Sequence, residues 1–193
     1  MGELLLIVIA AALVNNFVLV QFLGLCPFMR ATQRLESAIG MALATGFVLT
    51  TASGLCFLVD RFVLQRFELQ YLRILAFVAM VGASILLTNA LVRRFSPLLH
   101  RVLGVYLPLV ASNCALLGVA LLNSAASRSF VAALFYGAGA SVGFGLALAL
   151  IAGLTERLAR ADVPMPFRGA AIVFVTAGIL SLAFLGFAGF ARL

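Results

Sequence analysis

The chain has no lysine, no tryptophan and a single histidine, and only six of its 193 residues are acidic. Charged residues make up 10% of the sequence, too few to cover the surface of a water-soluble domain of this length. Three cysteines, Cys26, Cys56 and Cys114, are too few for a disulfide framework, and all lie in apolar surroundings. There is no CxxC pair, and the only histidine is His100, in a loop. The start, Met1-Gly2-Glu3-Leu4, has no basic stretch, and no small-residue cleavage site follows a short apolar core. A cleaved signal peptide is therefore not expected.

What fills the chain is apolar sequence: 65% hydrophobic residues and a mean hydropathy of +1.23. A helix needs about 20 apolar residues to cross a core of about 30 Å. Windows free of Asp, Glu, Lys, Arg and His run over 4–29, 37–59, 74–92, 102–127, 129–155 and 169–191. They leave no room for a soluble domain. The runs are long, rich in Leu, Ala, Val and Phe, and lack strand-like alternation, which favours helices over a barrel. The expected fold is all-α: one membrane domain, 1–193, of six transmembrane helices.

All thirteen basic residues are arginines between the windows, and they form no dense patch. Orientation and headgroup contact in a lipid bilayer account for the net charge of +7, and no nucleic-acid partner is expected. With six spans both termini lie on one side. Loops one, three and five carry eight arginines (30, 34, 93, 94, 101, 157, 160, 168), against five (61, 66, 73, 128, 192) on the other side. The positive-inside rule then puts both termini in the periplasm. No window holds an ionisable group other than Cys or Tyr, which argues against a self-sufficient ion carrier.

The second half overlays the first at an offset of about 97, giving repeats of about 1–96 and 97–193. Val14-Asn15-Asn16-Phe17 falls on Ala111-Ser112-Asn113-Cys114, and Leu58-Val59-Asp60-Arg61-Phe62 falls near Leu154-Thr155-Glu156-Arg157-Leu158. Three spans per half force the halves into opposite senses, an inverted repeat with its site near the midplane. The first span of each half is expected to break into half-helices: Asn15-Asn16 and Pro27 in one, Pro108 and Ser112-Asn113 in the other. The buried asparagines either satisfy freed backbone groups at such breaks or join neighbouring helices.

Cys26 and Cys114 occupy these polar-marked interruptions, whereas Cys56 reads as a small hydrophobe in a smooth span. If both first spans dip to the midplane, the two thiols approach from opposite sides. Two thiolates do not complete an iron–sulfur site, which takes four ligands. The residues alone leave three readings open: no metal, a disulfide, or a site completed by a partner chain.

Val14-Asn15-Asn16-Phe17-Val18-Leu19-Val20 and Phe22-Leu23-Gly24-Leu25-Cys26-Pro27-Phe28-Met29 resemble the amino-terminal signature of the RnfA/NqrE family. Asn113-Cys114-Ala115, Leu117 to Asn123, Glu156-Arg157-Leu158, Ala161-Asp162-Val163-Pro164 and Pro166-Phe167-Arg168-Gly169 extend the likeness over the whole chain. The resemblance implies a subunit of an inner-membrane, ferredoxin–NAD type oxidoreductase complex coupled to Na+ or H+ transport. It implies the homologous subunit RnfE and the Rnf subunits B, C, D and G as partners. It also implies that Cys26 and Cys114 supply half the ligands of a [2Fe–2S] cluster shared with that homologue. No independent catalytic activity is expected of the chain. Asn89 stands where the family carries Glu, so an ion-handling role at that position is not expected. The rival functions are a small-solute secondary transporter, which an inverted repeat fits equally well, and a scaffold with inert cysteines.

Overall fold

The computed structural model describes residues 2–24, 35–66, 70–95, 110–111, 113–126 and 129–190. The described residues form helices and turns, with no strand among them. Among them seven helices follow in order: α1 (Gly2–Ile9), α2 (Phe17–Gln21), α3 (Leu35–Val59), α4 (Arg73–Phe95), α5 (Cys114–Ala125), α6 (Phe130–Leu158) and α7 (Ala170–Phe190). A π-helical turn, Ala10–Val14, extends α1, and another, Asp60–Leu64, extends α3. Leu- and Ala-rich composition favours helix throughout, and within lipid the helix also satisfies its own backbone.

Three helical stretches are long and apolar enough to cross a bilayer: Ala38–Leu64, Arg73–Arg94 and Phe130–Leu158. Three others, Leu6–Gln21, Cys114–Ala125 and Ala170–Gly186, are apolar but shorter. Each of the six falls in a different one of the six sequence windows. The outer faces of α4 and α7 present bare leucine and isoleucine, such as Leu75, Leu86, Ile179 and Leu182. In water such faces would be a liability, but in lipid they are the expected surface.

The described residues show one expected break in full and the helix start that follows the position of the other. α1 and its π turn end at Asn15, and α2 restarts after Asn16, whose backbone is extended (φ −63°, ψ 102°). α5 begins after Asn113, which is also extended (φ −83°, ψ 110°). α2 starts at Phe17 and α5 at Cys114, a difference of 114 − 17 = 97. α4 starts at Arg73 and α7 at Ala170, and 170 − 73 is again 97. Pro27, Pro108 and Ser112 lie outside the described residues.

Packing centres on α3 and α6, which cross antiparallel along most of their length. Small residues bring them close: a Cβ on Gly46 would sit 3.3 Å from Ser141, one on Gly145 would sit 3.4 Å from Ala42, and Gly137 lies directly against Ser53. Helices in lipid gain by this close approach, because van der Waals contact replaces the hydrophobic drive that lipid cannot supply. The outer contacts are reciprocal. α2 lies on α6 while α5 lies on α3, and α2 touches α7 while α5 touches α4. Hydroxyls inside the helices bond back to the preceding turn, as Thr50 does to Gly46 O, Ser84 to Val81 O and Thr176 to Ile172 O.

Candidate functional site

Two asparagines shape the centre of the molecule, and they sit at matched positions of the two halves. Each caps the half-helix that follows it. Asn16 Oδ1 accepts from Val18 N at 3.1 Å, and Asn113 Oδ1 accepts from Ala115 N at 3.0 Å. A helix that starts inside the membrane has orphan N–H groups and no water to satisfy them, so an Asn cap is the local solution.

The other ends of the two amides differ. Asn16 Nδ2 donates to Ala12 O at 3.1 Å and to Gly143 O at 2.9 Å. It thereby satisfies a carbonyl left free at the end of the π turn and pins that break to α6. The glycine is required there, since a Cβ on Gly143 would come within 3.0 Å of both Ala12 Cα and Ala12 O. Asn113 Nδ2 is buried and has no hydrogen-bond partner among the described residues. Only 4% of Asn113 is exposed. Asn16 therefore both caps a break and joins two helices, the two roles that the sequence left open. Asn15 remains exposed.

Beyond α2, Phe22 and Gly24 adopt left-handed backbone (φ 54° and φ 91°), which turns the chain back along α5. Leu23 packs on Gly118, and Gly24 reaches the start of α5. Phe17, Val20 and Gln21 lie instead beside Leu122, Ala125 and Ala126 at the far end of α5, around a cleft of about 420 Å³. The segment from α2 to Gly24 thus runs antiparallel to α5.

At the start of α5 the Gly24 N–H donates to Cys114 Sγ at 3.1 Å. Gly24 also lies against the cap: its Cβ position would be 3.3 Å from Asn113 Oδ1, 3.3 Å from Ala115 Cβ and 3.1 Å from the Phe144 ring. A side chain at 24 would fill this space, and the left-handed backbone disfavours one in any case. The Cys114 thiol remains exposed in the single chain. It sits at the amino end of a twelve-residue helix.

The structure therefore brings Cys114 into contact with the segment that leads to Cys26. Cys26 itself lies outside the described residues. Cys56 is buried at the far end of α3, beside Phe57, Asp60, Phe77 and Ala120. Among the described residues no three His, Cys, Asp or Glu side chains converge.

The sequence reading did not single out one polar cluster. Asp60 is buried where α3 ends. Ser124 Oγ donates to its Oδ2 at 3.0 Å, and Arg73 Nε lies 3.3 Å from its Oδ1. These three residues tie together the ends of α3 and α5 and the start of α4. In sequence Asp60 is only the first charge after a window; its burial depends on helices far away in the chain.

A helical membrane protein with a thiol presented at the head of a capped half-helix is the class these features define. The chain belongs to the family described as Rnf-Nqr subunit, membrane protein, which matches residues 4–191. It is 55% identical over 192 residues to a protein of Shewanella amazonensis named as the A subunit of an ion-translocating oxidoreductase complex, covering all of both chains. Relatives of the same name from Shewanella denitrificans and Aliivibrio fischeri are 56% identical over 189 residues (98% of each chain) and 52% identical over 193 residues (all of each chain).

Proposed function

We propose that the chain is a membrane subunit of an ion-translocating electron-transport complex of the ferredoxin–NAD oxidoreductase type. In this reading Cys26 and Cys114 are two of the four ligands of a [2Fe–2S] cluster. The homologous subunit RnfE supplies the other two, and the Rnf subunits B, C, D and G complete the complex. The two halves, about 1–96 and 97–193, are inverted repeats. The chain sits in the bacterial inner membrane with both termini periplasmic, and electron flow is coupled to Na+ or H+ transport.

One observation carries the reading. Cys114 is held at the head of α5, with the Gly24 N–H on its sulfur at 3.1 Å, two residues before Cys26. The surroundings suit a thiolate-bound group: an exposed sulfur, and a glycine beside it whose side chain would crowd Asn113, Ala115 and Phe144. Thiolate sulfur is the ligand type that iron–sulfur centres take. A cluster bound there would supply one-electron transfer. The chain's own work is positional. Asn113 fixes the start of α5, and Gly24 holds the sulfur's orientation.

The test uses the purified complex, with iron analysis and electron paramagnetic resonance of the reduced state. A [2Fe–2S] signal that is lost in both Cys26→Ser and Cys114→Ser, from a complex that still assembles, is the expected result. Wild-type iron content and electron transfer in the double variant would overturn the reading in favour of inert cysteines. Solute uptake by the iron-free chain alone would favour a transporter.

A further inference from the structure

We propose that the cavity at the junction of α6 and α7 binds a phospholipid whose headgroup carries both a phosphate and an ammonium group. The site is separate from the thiol at Cys114 and does not depend on the reading above.

The stretch Ala161 to Gly169, marked in the sequence, has no part in the thiol site. It joins α6 to α7 in a folded turn: Val163 N donates to Ala161 O at 2.9 Å, and Phe167 N donates to Pro164 O at 2.9 Å. Gly169, in left-handed backbone (φ 86°), leads the chain into α7. Beside this turn lies a cavity of about 620 Å³. Its lining joins apolar Leu158, Ile172 and Val173 to charged Arg160, Asp162 and Arg168. Basic cavities between membrane helices at the level of the interface are where phosphate-bearing headgroups bind.

Three features select the ligand. First, the Arg168 guanidinium is held from one side. Its Nε donates to Val163 O at 2.9 Å, and its two terminal nitrogens have no partner among the described residues. A guanidinium fixed this way offers the paired donors that a phosphate takes. Arg160 adds a second cation; its one ion pair among the described residues is a loose, exposed contact with Glu156 at 3.7 Å. Second, Asp162 lines the same cavity and makes no salt bridge among the described residues, with either arginine or any other. A headgroup with phosphate alone would face an unmatched carboxylate. One with an ammonium beside its phosphate matches both signs. Third, the surroundings are those of a bilayer boundary. Met165 and Phe167 stand bare on the turn, 83% and 51% exposed, and apolar side chains so placed belong among the headgroups. From the cavity, Ile172 leads to Val175, Ile179 and Leu182, spaced at three, four and three residues and so on one face of α7. These three are exposed, a surface for an acyl chain to follow.

The experiment counts the lipids held by the detergent-purified complex in native mass spectrometry, with phosphatidylethanolamine and phosphatidylglycerol of the same acyl chains added in turn. The wild type is expected to hold phosphatidylethanolamine more strongly. Arg168→Gln removes the paired donors and is expected to weaken that binding about tenfold, the size of a lost charge-assisted hydrogen bond. Arg160→Gln breaks no hydrogen bond of the turn and is expected to weaken it by a smaller factor, which separates lost binding from a disturbed turn at Arg168. Asp162→Asn is expected to abolish the preference for phosphatidylethanolamine and leave total binding in place. Arg61→Gln, in the π turn after α3, is the control that changes neither. Equal binding of the two lipids by the wild type, or equal counts for the wild type and Arg168→Gln, overturns the proposal. Glycerophosphoethanolamine bound as tightly as the lipid would show a site for the free headgroup and overturn it too. Loss of a protein subunit, rather than a lipid, from the Arg168→Gln complex would do the same and make the junction a docking surface.

Discussion

At the scale of single residues, Asn16 holds three backbone partners. It satisfies Val18 N, Ala12 O and Gly143 O at once. Asn16→Ala removes a helix cap worth about 1 kcal/mol and leaves buried backbone groups unmet, so the total loss is expected at about 2–4 kcal/mol. Asn16→Ser keeps the cap, loses the reach to Gly143, and is expected to lose roughly half as much. Thermal melting of the detergent-purified complex measures both, and a melting point for Asn16→Ala equal to wild type would contradict this account. The sequence already marked both asparagines, since polar residues in the middle of apolar windows must be matched. It did not reveal their partners. Gly143 lies 127 residues from Asn16, and no local pattern encodes that pairing. Gly24 was legible only as part of a break beside Cys26; its contact with Cys114 spans 90 residues.

At the scale of elements, helix ends are fixed by polar contacts, and the cluster at Asp60 is the clearest case. The carboxylate takes a hydroxyl from α5 and faces the guanidinium at the start of α4. Asp60→Asn keeps an acceptor for Ser124 but leaves Arg73 without its counter-charge. Removing one partner of a fully buried pair costs about 3–5 kcal/mol. The Arg73 side chain is 30% exposed and can recruit water, which lowers the expected loss to about 1–2 kcal/mol. The double variant Asp60→Asn/Arg73→Gln is expected to be less destabilised than the sum of its single changes, because the two groups share one interaction. Strict additivity in denaturation would show that the pair contributes nothing. Helix positions were legible because charge-free windows bound them. The cluster was not, because Asp60, Arg73 and Ser124 come from three elements that only packing unites.

At the scale of the whole molecule the open quantity is orientation, and the described contacts narrow it. Ser124, at the end of the fourth apolar segment, bonds Asp60, at the end of the second. Those two ends therefore lie at one level, which is what a count of six spans requires. Arg157, Arg160 and Arg168 cluster at the junction of α6 and α7, the end of the fifth segment and start of the sixth. On the proposed count of six spans that junction shares its side with loops one and three, which with it carry eight of the thirteen arginines. Moving arginine across the membrane during insertion is costly, so the richer side is expected in the cytoplasm. A reporter fused after Leu193 reads the outcome. Alkaline phosphatase there is expected to be active and green fluorescent protein dark, with the opposite pair of results for fusions in the Arg157–Arg168 junction. Eight against five is a narrow margin, so the orientation should also be open to manipulation. Adding three arginines to the segment around Arg128 brings the two sides to equal weight, and a mixed population is expected from the same two reporters. A bright fluorescent fusion at Leu193 in the unaltered chain would reverse the orientation and place the Asp60 cluster on the cytoplasmic side.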